Sequence, residues 1–103
     1  MNAVKINDPM HPGEFLKFAY LDPLSITSAE LAKSLGISSS CLSRLINNKS
    51  ALTAEVAIRL ELVLGRSAES WMNLQMAYEL KQARKSTDVG SLVKIFTPSG
   101  EQK

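Results

Sequence analysis

At 103 residues the chain is long enough for one domain around a single core. Its apolar share of 45% and charged share of 21% are ordinary for a soluble globular protein, and a net charge of +2 is too small to argue for a nucleic-acid partner by itself. One cysteine excludes an internal disulfide framework and fits a reducing, cytoplasmic setting, and no apolar run nears the roughly 20 residues that span a bilayer, so neither a membrane nor a signal peptide is expected.

Residues 1–10 read as an irregular arm punctuated by Pro9. HPGEFLKFAYL then reads as the first helix, with Pro12 at the first helical position and Glu14 near the positive N-terminal end. Phe15, Leu16, Phe18, Ala19 and Leu21 supply its buried face. Pro23 is expected to stop it, because the residue before a proline avoids helical geometry. In SITSAELAKSLG, Thr27 or Ser28 can cap a second helix with Glu30 close behind. Ala29, Leu31, Ala32 and Leu35 form its apolar stripe, and Gly36 stands where a left-handed C-cap falls. Ile37 is a single apolar turn residue, and Ser38 caps a third helix that runs to about Asn47.

After the loop NNKSAL, Thr53 caps a fourth helix with Val56, Ala57, Leu60, Val63 and Leu64 at helical spacing, and Gly65 ends it. Ser67 starts a fifth, whose apolar residues are Trp71, Leu74, Met76, Ala77, Tyr78 and Leu80. The pattern breaks after Lys85. Asp88 to Gly90 reads as a turn, SLVKIFT as a short strand or packed extended tail, and PSGEQK as frayed.

The second and third helices are joined by little more than Gly36 and Ile37, the connection of a helix-turn-helix. On the third helix, steps of three and four place Ser39, Ser40, Ser43, Arg44 and Asn47 on one face, and Leu42, Leu45 and Ile46 on the other. Short serines let a helix axis approach DNA closely, and an arginine fork can take guanine O6 and N7 together. The amides at the two helix starts, with Ser28 and Ser38, suit backbone phosphates. Asn48 and Lys49 in the following loop suit a phosphate clamp, with Lys33 a weaker candidate. A capped amphipathic helix with a wet serine face is also common in proteins that never touch DNA. The joint and the polar face together tip the balance toward a reader.

Other constellations carry less. His11 and Cys41, one of each, are too few nitrogen and sulfur ligands for a metal site. His11 reads as a neighbour of the helix cap, and Cys41 as half-buried packing. The carboxylates lie on separate helices, no glycine-rich phosphate loop appears, and no Ser-His-Asp set is plausible, so neither an enzyme nor a cofactor is expected. Trp71 reads as a core anchor between the fourth and fifth helices. Leu74, Met76 and Tyr78 join it as core or dimer residues, since the apolar surface of that helix exceeds one narrow stripe.

Three separated motifs carry a resemblance. ELAKSLGISSSCLSRLINNKSALTAEVAIRLELVLGRSAESWMNLQMAYEL is similar to the helix-turn-helix domain of the Xre/phage-repressor class. MHPGEFL, the loop NNKSALT and the stretch GRSAESWMNLQ narrow the resemblance to the HigA antitoxins, over about residues 10 to 84. It implies an all-α, five-helix lambda-repressor-like domain over residues 11–84; the tail over 85–103, outside the resemblance, is expected from its residues to be short and extended or strand-like. It implies a homodimer on double-stranded operator DNA in its own promoter, and a cognate RNA-cleaving toxin as protein partner. By the resemblance, Ser38, Ser39, Ser40, Ser43 and Arg44 take base-facing positions and Lys49 lies near phosphate. The serines stand where relatives often carry Thr, Pro or Ala, which leaves the operator sequence open. The rivals are a stand-alone Xre-type regulator and a protein-interaction module that keeps the fold without binding DNA.

Overall fold

A computed structural model describes residues 9–96, and those residues form five helices and no strand. Helix α1 starts as an α-helix over Pro12–Leu16, widens to a π-helical segment over Lys17–Leu21 and ends in a last turn over Asp22–Leu24. The others are α2 (Ser28–Leu35), α3 (Ser39–Ile46), α4 (Ala54–Leu64) and α5 (Ala68–Ser86).

The starts follow the local chemistry. Thr27 and Glu30 form a reciprocal capping box on α2, which resolves the choice between Thr27 and Ser28. Ser38, Thr53 and Ser67 each accept a backbone N–H three residues on, capping α3, α4 and α5. Gly36 and Gly65 end α2 and α4 in the left-handed conformation.

Pro23 does not stop α1. It sits inside the last turn, and the chain leaves the helix only at Ser25, at φ 55°. The π-helical segment supplies the physical reason. Asp22 N–H reaches back five residues to the Lys17 carbonyl, so the ladder is already opened ahead of the proline ring, which has no N–H of its own to pair.

The core is Leu16, Leu21, Leu31, Ala32, Leu35, Leu42, Leu45, Leu52, Ala57, Leu60 and Trp71. Several expected members are outside it. Phe18, Ala29, Val63, Met76 and Leu80 are exposed, because the face each helix buries is narrower than its apolar content. Leu52, in the loop before α4, is buried. Trp71 is fully buried, but its ring neighbours come from α1. Phe15 meets it edge-on at 5.7 Å and Tyr20 lies at 5.8 Å, with the Arg66 guanidinium over the Phe15 ring.

The described part of the segment after α5, residues 87–96, is neither strand nor packed. Gly90 N–H donates to Asp88 Oδ1 in a turn, and Leu92, Val93, Ile95 and Phe96 then run exposed. A strand needs a neighbour to take its backbone groups, and none is present among the described residues. Of the expected N-terminal arm, residues 1–8 lie outside the described residues, as does the PSGEQK end expected to fray.

Candidate nucleic-acid interface

Leu42 and Leu45 anchor α3 to the core, with Ile46 half-buried beside them. This leaves Ser39, Ser40, Ser43, Arg44 and Asn47 exposed on its outer side. Ser38 Oγ accepts from Cys41 N at 3.0 Å and lies 3.4 Å from Ser40 Oγ. One of these two hydroxyls donates to the other, and the accepting one keeps its hydrogen for an outward partner while the cap is kept. Asn47 folds back along the helix, its Nδ2 donating to the Ser43 carbonyl at 2.9 Å. Its Oδ1 is therefore the group left for another partner.

The loop after α3 is built as a Schellman motif. Lys49 N–H donates to the Arg44 carbonyl at 2.8 Å and Asn48 N–H to the Leu45 carbonyl at 3.1 Å, with Asn48 at φ 61°. Asn48 thus has a conformational task beside any phosphate contact, and Lys49 leaves the helix end in a set direction. Arg44, Lys33 and Lys49 are exposed, and none has an ion pair among the described residues. Their charge is left for solvent or a polyanion. Ser28, in the first turn of α2, is exposed at the helix end where unpaired amides collect.

The residues assigned to core or interface on α5 divide. Trp71 is buried, Leu74 is half-buried against the core, and Tyr78 is half-buried with its ring edge-on to His11 at 5.0 Å. Met76 is exposed.

Four supports escaped the sequence reading. His11 is the N-cap of α1 itself, with Nδ1 accepting from Gly13 N–H at 2.9 Å and Nε2 3.0 Å from the Ser50 carbonyl. An acceptor role at Nδ1 requires the tautomer that carries its proton on Nε2, which donates to Ser50. Gln75 is buried, with Oε1 accepting from Leu52 N–H at 2.7 Å and Nε2 donating to Glu79 at 2.7 Å. Arg59 donates to the Leu35 carbonyl at 2.8 Å and to Glu55, clamping the end of α2 where the turn begins. Gly13 lies against the α3 backbone, where a Cβ would overlap the Leu45 carbonyl. The one trace of these in the sequence is polar or tiny residues inside apolar surroundings: HPG before a helix, and Gln75 after Leu74.

Burial lowers the His11 pKa from its ordinary value of 6.5, against the Ser50 hydrogen bond and the Glu14 charge, which raise it. Tyr78, Glu79 and Lys49 line the same hollow. With the folded value below the unfolded one, the unfolded chain takes up the proton first as pH falls. Stability is therefore expected to be complete above pH 6.5 and to decline as pH drops below it through the lowered folded value. Denaturant midpoints measured across that range should fall in the natural chain and stay flatter in His11→Asn. Equal slopes for the two proteins would mean that His11 is not the group responsible.

Among the described residues no helix is long and apolar enough to cross a membrane, and no cluster of three or more His, Cys, Asp or Glu is placed to hold a metal ion. A family model described as helix-turn-helix matches residues 19–71. The chain is 38% identical over 94 residues to the HTH-type transcriptional regulator YddM of Escherichia coli, covering 91% of this chain and 99% of that one. It is 43% identical over 76 residues to antitoxin HigA-1 of Vibrio cholerae, covering 74% and 71%. Among solved structures, the Pseudomonas aeruginosa antitoxin HigA with the higBA promoter superposes with a TM-score of 0.72 at 32% identity, covering 82% and 99%. These relatives are named as regulators and antitoxins rather than enzymes. Capped helices, short turn, outward serine–arginine face and matching relatives agree: the chain belongs to the helix-turn-helix family, and within it to the HigA-type antitoxins of the Xre, phage-repressor-like class.

Proposed function

We propose that this chain is a cytoplasmic, DNA-binding transcriptional repressor and antitoxin that binds its own operator as a homodimer and neutralises a small RNA-cleaving toxin. The observation that carries the DNA reading is the outer face of α3, where Arg44 stands exposed among short polar side chains, without an ion pair among the described residues. The solved relative with promoter DNA supports it. In this reading Ser38, Ser39, Ser40, Ser43, Arg44 and Asn47 face the bases. Ser28, Lys33, Asn48 and Lys49 meet phosphates. One such domain makes few phosphate contacts, so two copies about 34 Å apart on the duplex are needed for tight binding. The exposed Met76 and Leu80 of α5 offer apolar surface for the second copy. The toxin role rests on the likeness to named antitoxins.

A titration by fluorescence anisotropy tests both halves. The duplex upstream of the protein's own gene is compared with a scrambled duplex at several salt concentrations, with and without the product of the adjacent gene. A preference of roughly 10³-fold for the first duplex is expected, with tighter binding when the adjacent gene product is added. Equal, weak and salt-abolished binding to both would refute the reader face. Specific binding unaffected by the neighbour, with no complex between the two proteins, would leave a stand-alone regulator.

A further inference from the structure

Among the described residues the interior holds two buried polar side chains, His11 and Gln75. They come from elements far apart in the chain, the cap of α1 and the middle of α5. Both reach the same short stretch of loop, His11 at the Ser50 carbonyl and Gln75 at the Leu52 N–H. The Gln75 amide is oriented by Glu79, which accepts from Nε2 and so aims Oε1 at the loop. The His11 ring is oriented by Gly13 N–H and by the edge contact with Tyr78.

Burying a polar side chain is costly unless it is fully hydrogen-bonded, and an apolar residue would fill the same space without that requirement. Here both buried polar groups are applied to the segment that directly follows Asn48 and Lys49. Asn48 itself holds a left-handed conformation, which asparagine adopts more readily than other non-glycine residues, so the loop turns sharply off the end of α3.

We infer that His11 and Gln75 are positioning residues for DNA binding, holding Ser50 and Leu52 from behind so that Asn48 and Lys49 are presented to a backbone phosphate. The inference rests on the reading of Lys49 as a phosphate contact. Neither positioning residue touches DNA, and both act through Lys49. α5 is thereby tied to the interface by a hydrogen bond, although it contributes no DNA-facing residue of its own.

The test is a double-mutant cycle on the duplex upstream of the protein's own gene, read as the slope of log affinity against log salt, well below the unfolding temperature. Lys49→Ala and Gln75→Leu are each expected to weaken binding about tenfold and to lower the slope by about one. The double variant should lose no further slope, because both changes remove the same contact. Exchanging the pair as Gln75→Glu with Glu79→Gln keeps an acceptor for Leu52 and a donor between the two side chains, and should restore the slope. His11→Asn keeps a cap acceptor for Gly13 and drops the longer reach to Ser50. It carries the same expectation as Gln75→Leu, should that variant fold poorly. A natural slope in both Gln75→Leu and His11→Asn beside a lowered one in Lys49→Ala overturns the inference alone. Additive slope losses also overturn it. An unchanged slope in Lys49→Ala overturns the phosphate contact first, and the inference with it.

Discussion

Arg44→Ala is expected to cost about 1–3 kcal/mol of affinity for the operator and to narrow the gap between operator and scrambled duplex. The side chain is exposed near the end of α3, without an ion pair among the described residues, so its removal breaks no native interaction of the charge. Thermal unfolding should stay close to that of the natural chain. The stem does line a small hollow with Ile37, Cys41 and Val56, so Arg44→Lys is the better-matched control. Lysine keeps a charge and a stem but loses the planar fork. It should preserve the salt dependence while losing base preference; Ala should lose base preference and affinity, while the salt dependence set by the proposed phosphate contacts largely remains. We expect the toxin to bind outside α3, so toxin binding should survive either change. Unaltered discrimination in Arg44→Ala would remove the arginine from base reading and point to the serines or to DNA shape. Loss of toxin binding would place both partners on one face.

Gly13→Ala is expected to be the most damaging single-methyl change in the helical body. A Cβ at this position would overlap the Leu45 carbonyl and crowd the Ile46 Cα, both of them backbone. No side chain can rotate away, so either α1 or α3 must move as a unit. Overpacking in a dense interior costs about 1–3 kcal/mol where side chains can adjust, and a backbone clash falls at or above the top of that range. A loss of about 3 kcal/mol should lower the melting temperature by roughly 12 °C or more in a domain of this size. Because α3 carries the reader face, operator affinity should fall even at temperatures where the variant is fully folded. A melting temperature within about 4 °C of the natural chain would show that α1 docks elsewhere than on the last turn of α3.

The local parts of the molecule were legible in the residues themselves. Thr27, Ser38, Thr53 and Ser67 cap helices, Gly36 and Gly65 end them, and Leu42 and Leu45 fix which side of α3 is inward. Each of these signals acts over four residues or fewer, through a backbone N–H, a φ angle or a helical repeat. Pro23 misled because its usual effect was relieved by a π-helical segment that no residue announces. The strand reading of residues 91–96 misled because, among the described residues, there is no neighbouring strand for their backbone groups to pair with.

Caps and periodicity act between near neighbours, so the residues alone place the helices, their order, the short turn and the outward face of α3. How that face is held depends on contacts made across the fold. His11 reaches Ser50 across 39 residues, Arg59 reaches Leu35 across 24, and Gln75 reaches Leu52 across 23. Gly13 is required by a backbone on another helix. Such partners meet only once the core has packed, and nothing in the spacing of a single chain names the carbonyl or amide that a buried polar side chain will find.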